Sequence, residues 1–85
     1  VKGGNMSEEK DVLITYAAAR INNGYTQMEA ARHLEINVKT LCNYENGITV
    51  PNWETHRRMS EFYNIPEQML CSPKRQNFNL HKESH

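Results

Sequence analysis

Val38, Lys39, Cys42, Asn43 and Asn46 recur three and four residues apart, so on a helix turning about 100° per residue they share one side. Thr40, Leu41, Tyr44 and Glu45 share the other and carry most of the apolar bulk. The first side is polar, slender and nearly free of acid, a shape that suits a groove. A plain solvated helix face carries several charges in i, i+4 pairs, whereas this one has a single lysine and two asparagines. Catalytic chemistry is not expected: no serine, cysteine or carboxylate pair stands with a base and an oxyanion site. Cys42 and Cys71 are far apart and lack a Cys-x-x-Cys or His-x-x-x-His companion, so they are read as reduced structural thiols, with no metal and no cofactor. His33 and His56 are no partners for Cys42 by pattern, and His56 reads as a packing residue at a helix margin with one polar edge in water.

The elements that must hold this face can be traced from caps and breakers. A first helix is expected from Ser7 to about Asn23, ended by Asn23-Gly24, with Leu13, Tyr16, Ala17, Arg20 and Ile21 as its inward stripe. An arginine on that stripe requires a partner. Thr26-Gln27-Met28-Glu29 is a capping box that opens a second helix running through Leu34, and Ala31 allows another helix to cross closely. Residues 35–37 form a short turn in which Asn37 caps a third helix over 38–46, closed by Gly47. Pro51-Asn52 then stops one element and caps a fourth helix from Trp53 to about Tyr63, which Asn64 can close. Pro66 suits the first position of a fifth helix reaching Cys71, and Ser72-Pro73 ends it. No alternating strand pattern and no internal repeat is seen.

At 85 residues and 38% hydrophobic content the chain makes one small domain around a modest core. It has no run of 18 apolar residues and no secretory pattern, so a soluble cytoplasmic protein without membrane contact is expected. Residues 1–6 read as a disordered or added N-terminus, 7–72 as the folded domain and 73–85 as a basic flexible tail or linker. The formal net charge is zero. Residues 6–47 hold four Lys or Arg against six acids, and residues 73–85 hold three against one. Long-range attraction for polyanions is therefore weak, and tight binding to one needs a dimer, a tail contact or a further domain.

Two short helices joined by a three-residue turn and flanked by others form the arrangement that lets the second enter a major groove. Arg20, Gly24, Thr26-Gln27, Ala31, Leu34, Ile36, Thr40-Leu41, Tyr44-Glu45-Asn46-Gly47, Pro51 and residues 65–70 stand at separations that extend this likeness. Across residues 16–70 the chain resembles the lambda repressor and Cro type of helix-turn-helix domain, the xenobiotic-response-element family of bacterial and phage regulators. The resemblance implies an all-α, compact five-helix domain with the helix-turn-helix at helices 2 and 3. It implies a sequence-specific DNA-binding transcriptional regulator, a repressor, that inserts helix 38–46 into the major groove of operator DNA as a homodimer.

By the same resemblance Val38, Lys39 and Asn43 read base edges, with a phosphate contact equally open to Lys39, while Gln27, Thr40 and Asn46 hold phosphates. Arg20 and Glu45 form a partly buried ion pair that clamps the first helix to the third. The family has glycine where Glu35 stands, so the turn is expected to bend differently, and His56 replaces a core leucine. Trp53, Phe62, Tyr63, Met69 and Leu70 form more apolar surface than short helices can hide, which points to a dimer through the last helices. The alternative is the same scaffold used as a protein-interaction module that binds a partner regulator, with a protein partner or a further C-terminal domain completing it.

Overall fold

The computed structural model describes residues 12–73. In chain order these form β1 (Ile14–Thr15), α1 (Tyr16–Asn22), α2 (Gln27–Leu34), α3 (Val38–Glu45), α4 (Trp53–Tyr63) and β2 (Leu70–Cys71). The expected residues 7–11 of the first helix, the N-terminal segment and the tail beyond Pro73 lie outside the described residues. The helices enclose a core of Tyr16, Ala19, Ala31, Leu34, Leu41 and Met59, with Tyr63 and Leu70 also buried.

Each helix starts where a side-chain oxygen can satisfy a first-turn amide. Thr26 Oγ1 accepts from the Glu29 amide at 3.1 Å while Glu29 Oε1 accepts from the Thr26 amide at 2.9 Å, which completes the capping box. Asn37 caps α3 through the Lys39 amide, and Asn52 caps α4 through the Thr55 amide. Gly24 and Gly47 adopt left-handed conformations, with φ of 81° and 75°, after α1 and α3.

Two expectations about the ends of the domain are corrected. The domain has four helices, not five, among the described residues. The first helix does not run back into residues 12–15, because Thr15 itself is the cap: its backbone is extended and its Oγ1 accepts from the Ala18 amide. An extended residue at that point leaves the preceding chain free to pair. Ile14 and Thr15 therefore lie in parallel register with Leu70 and Cys71, and the Ile14 amide donates to the Met69 carbonyl at 2.7 Å. The same pairing removes the fifth helix. Met69 and Leu70 close one turn onto the Pro66 carbonyl, and the chain then straightens into β2.

Starting the first helix at Tyr16 also resets its inward face to Tyr16, Ala19 and Arg20, and leaves Ile21 in solvent. The α2–α3 turn does not bend differently. Glu35 adopts the left-handed conformation, at φ 60°, that glycine takes without strain. The turn is held there because the Ile36 amide reaches the Ala31 carbonyl and Arg58 Nη2 donates to the Leu34 carbonyl at 2.6 Å.

His56 is a bridge, with both ring nitrogens engaged. Nε2 donates to the Glu67 carbonyl at 3.0 Å, since a carbonyl only accepts, so in the neutral ring Nδ1 accepts from the Tyr16 hydroxyl at 2.8 Å. One side chain thereby ties α4 to the start of α1 and to the turn before β2. Burial pushes the Tyr16 phenol up to about 12, with Cys71 and Tyr44 adding to the shift.

Candidate nucleic-acid interface

α3 has two unlike sides. Leu41 is fully buried and Glu45 nearly so, while Val38, Lys39 and Asn46 stand exposed and Thr40, Cys42 and Asn43 are half-buried. The buried residues dock the helix and the exposed ones are presented outward without a carboxylate among them. Asn46 Nδ2 donates to Cys42 Sγ at 3.3 Å, one turn apart, and so lies along the helix side. After Gly47 the chain turns back: the Ile48 amide donates to the Asn43 carbonyl at 2.9 Å.

The depth of α3 is set by a buried charge pair. Arg20 Nε donates to Glu45 Oε2 at 2.7 Å and Arg20 Nη2 to Glu45 Oε1 at 3.1 Å, a two-point contact with side chains 13% and 4% exposed. Arg20 Nη1 also reaches the Tyr25 carbonyl at 2.8 Å, which fixes the loop ahead of α2. Glu45 raises the Arg20 guanidinium pKa above its ordinary value, chiefly through this hydrogen bond and against the cost of burial. Tyr63 sits in the same charged neighbourhood, and burial pushes its phenol up to about 12, with Glu45 adding to the rise and Arg20 opposing it. Its hydroxyl is buried without a hydrogen-bond partner.

Gln27 enters this network, which its sequence position did not disclose. Its Nε2 donates to Glu45 Oε1 at 3.0 Å, so one amide proton is spent inward while the second proton and Oε1 remain. Glu45 thus holds α1, the amino end of α2 and α3 together. No local sequence signal marks this contact, because Gln27 and Glu45 stand 18 residues apart. Of the site residues read from sequence, Arg20 and Gln27 are both brought onto the carboxylate of Glu45. Val38, Lys39, Asn43 and Asn46 share the outward side of α3, and Thr40 lies half-buried at its edge.

Among the described residues no three His, Cys, Asp or Glu side chains come together as a metal site. No helix among them is long and apolar enough to cross a membrane.

A capped α2, a tight left-handed turn and a two-sided α3 clamped to α1 define a helix-turn-helix. Residues 17–74 match the family model described as Helix-turn-helix domain, and the chain belongs to that family. It is 40% identical over 52 residues to the HTH-type transcriptional regulator ImmR of Bacillus subtilis (strain 168), a match that takes in 61% of this chain and 41% of the relative. The chain therefore spans well under half the length of that protein. No solved structure matches it significantly.

Proposed function

We propose that this chain is a sequence-specific DNA-binding transcriptional regulator that inserts α3 into the major groove of an operator and acts there as a repressor. The observation that carries the reading is the division of α3 into a docked side, Leu41 and Glu45, and an acid-free outward side. Membership of the helix-turn-helix family and likeness to a transcriptional regulator support it.

In this reading Val38, Lys39 and Asn43 read bases. Lysine donates to guanine O6 and N7, asparagine pairs with both adenine groups, and valine meets a thymine methyl. Gln27, Thr40 and Asn46 hold backbone phosphates on either side. Gln27 keeps one amide proton for that task while Glu45 holds the other. The Arg20–Glu45 pair has a positioning role, and no residue has a catalytic one. Two copies act together on half-sites about 10 bp apart, in the cytoplasm.

The deciding experiment selects bound duplexes from a random pool with the 85-residue chain, then maps amide shifts with the selected duplex at several salt concentrations. Shifts confined to α3 and the amino end of α2, with affinity falling steeply as salt rises, are expected. A competing use of the scaffold as a protein-interaction module is favoured by the charge count, since residues 12–73 hold five Lys or Arg and six Glu. No duplex selected even at low salt would overturn the DNA reading and favour that competitor.

A further inference from the structure

Among the described residues asparagine precedes glycine twice, at Asn23-Gly24 and Asn46-Gly47, and each pair closes a helix. Glycine has no side chain to shield its own amide nitrogen, so that nitrogen can reach the carboxamide carbon of the asparagine before it. The other described asparagines precede Asn, Val, Tyr, Trp or Ile, whose side chains crowd the approach. The fold holds the two pairs unequally. Asn23 Nδ2 donates to the Ala19 carbonyl at 2.8 Å and to the Tyr63 carbonyl at 3.0 Å, and the Gly24 amide donates to the Ile21 carbonyl at 2.9 Å. Asn46 is exposed, its Nδ2 donates only to Cys42 Sγ at 3.3 Å, and the Gly47 amide reaches the Tyr44 carbonyl at 3.2 Å. Thiol sulfur is a weak acceptor. Freeing Asn23 breaks a contact between the ends of α1 and α4, whereas freeing Asn46 asks only that the last turn of α3 fray.

We propose that Asn46-Gly47 is a site of spontaneous covalent modification, at which the Asn46 carboxamide becomes a carboxylate and α3 loses its grip on nucleic acid. The loss of grip rests on the DNA reading above, and the chemistry does not. The Gly47 amide gives its proton to solvent and its nitrogen attacks Asn46 Cγ. The N–Cγ bond forms, the Cγ–Nδ2 bond breaks, and ammonia leaves with a proton taken from solvent. Water then opens the cyclic imide at either carbonyl, which yields aspartate or its β-linked isomer. Water is the only co-reactant. The product sets a negative charge on the side of α3 that has none, at the helix end whose dipole favours cations. It repels the phosphate that the amide would hold.

Binding and modification oppose each other. A phosphate held by Asn46 Nδ2 fixes the carboxamide and keeps the last turn of α3 closed, so a chain on its duplex is spared while a free chain is converted. Cys42 sets the pace for the free chain, because its sulfur is what the carboxamide must leave first. The pair thereby limits how long an unbound chain stays competent to bind.

Incubating the 85-residue chain for weeks in mildly alkaline buffer, with peptide mapping by mass spectrometry, tests the chemistry. Conversion at Asn46 is expected to run about five- to tenfold faster than at Asn23, the factor that one lost neutral hydrogen bond brings. Cys42→Ala should speed conversion at Asn46 by about two- to fivefold and leave Asn23 unchanged. A selected duplex at about ten times its dissociation constant should slow conversion at Asn46 about tenfold. Asn46→Asp should bind that duplex about tenfold or more weakly, with its circular dichroism unchanged. Equal or faster conversion at Asn23, conversion at Asn46 that bound duplex does not slow, or full affinity in Asn46→Asp would overturn the proposal. Conversion centred on Asn46 in a chain that selects no duplex sinks the DNA reading and upholds the modification site. A selected duplex with Asn46 intact after weeks in the free chain does the reverse.

Discussion

Arg20 grips the carboxylate of Glu45 at both oxygens, from a position 25 residues earlier in the chain. A pair this deeply placed contributes less than its Coulomb energy, because both ions lose water, but breaking one half leaves a buried charge without its partner. Arg20→Ala should therefore cost about 3–5 kcal/mol. Arg20→Met with Glu45→Leu together should recover most of that loss, since no charge is then stranded. Urea unfolding of the single and double variants measures both, and an Arg20→Ala chain as stable as the parent would contradict the burial.

Glu35 holds a left-handed backbone that costs a residue with a Cβ roughly 1 kcal/mol. Its carboxylate is 4.0 Å from Arg58 on an open surface, a contact worth little. Glu35→Gly should raise stability by about 0.5–1 kcal/mol despite the greater freedom glycine has when unfolded. Asn64 has the same φ, yet Asn64→Gly should change less, because asparagine tolerates this region better. Thermal melts of the two variants side by side give the comparison.

Tyr16 and Tyr63 both titrate near 12 because burial disfavours the phenolate. A folded-state pKa raised above the ordinary 10 gives stability that is complete below pH 10 and disappears as pH climbs through 12. Unfolding free energy should stay level through pH 9 and then fall, by up to about 2 kcal/mol for each tyrosine. Tyr63→Phe removes one of the two contributions. It also removes a hydroxyl with no partner, so at neutral pH it should be neutral or stabilising by up to about 1 kcal/mol. Phenolate absorbance against pH in both proteins shows whether two of the four tyrosines titrate late.

Lys39 and Gln27 should fail in different ways on a selected duplex. Lys39→Ala is expected to cost about 1–3 kcal/mol and to relax preference at one base position. Gln27→Ala should weaken all sequences alike and leave the preference intact. Affinities for the selected duplex and its single-base variants separate the two. A uniform loss for Lys39→Ala, with a salt slope reduced by about one charge, would reassign that lysine to phosphate.

Caps and breakers are local, and so they could be read directly. Thr26 with Glu29, Asn37 and Asn52 each satisfy amides within three residues, which is why α2, α3 and α4 begin where the chain alone says they begin. The two sides of α3 were equally legible, because the helical repeat converts spacing into direction. The pairing of Arg20 with Glu45 followed from family likeness, and the place of Gln27 beside them did not, since no local rule links side chains 18 residues apart.

The ends of the domain went the other way. Residues 12–15 and 66–71 each carry a pattern compatible with helix, and neither has enough local hydrogen bonding to choose. Within them Ile14–Thr15 and Leu70–Cys71 became strands because each pair offers the other amides and carbonyls that a helix end would have left open, and that exchange exists only once α1 and α4 have brought them side by side. His56 makes the same point: its spacing marked a packing residue, but folding placed the Tyr16 hydroxyl and the Glu67 carbonyl at its two nitrogens. Local chemistry chose the helices, and long-range backbone pairing chose what closes them into a domain.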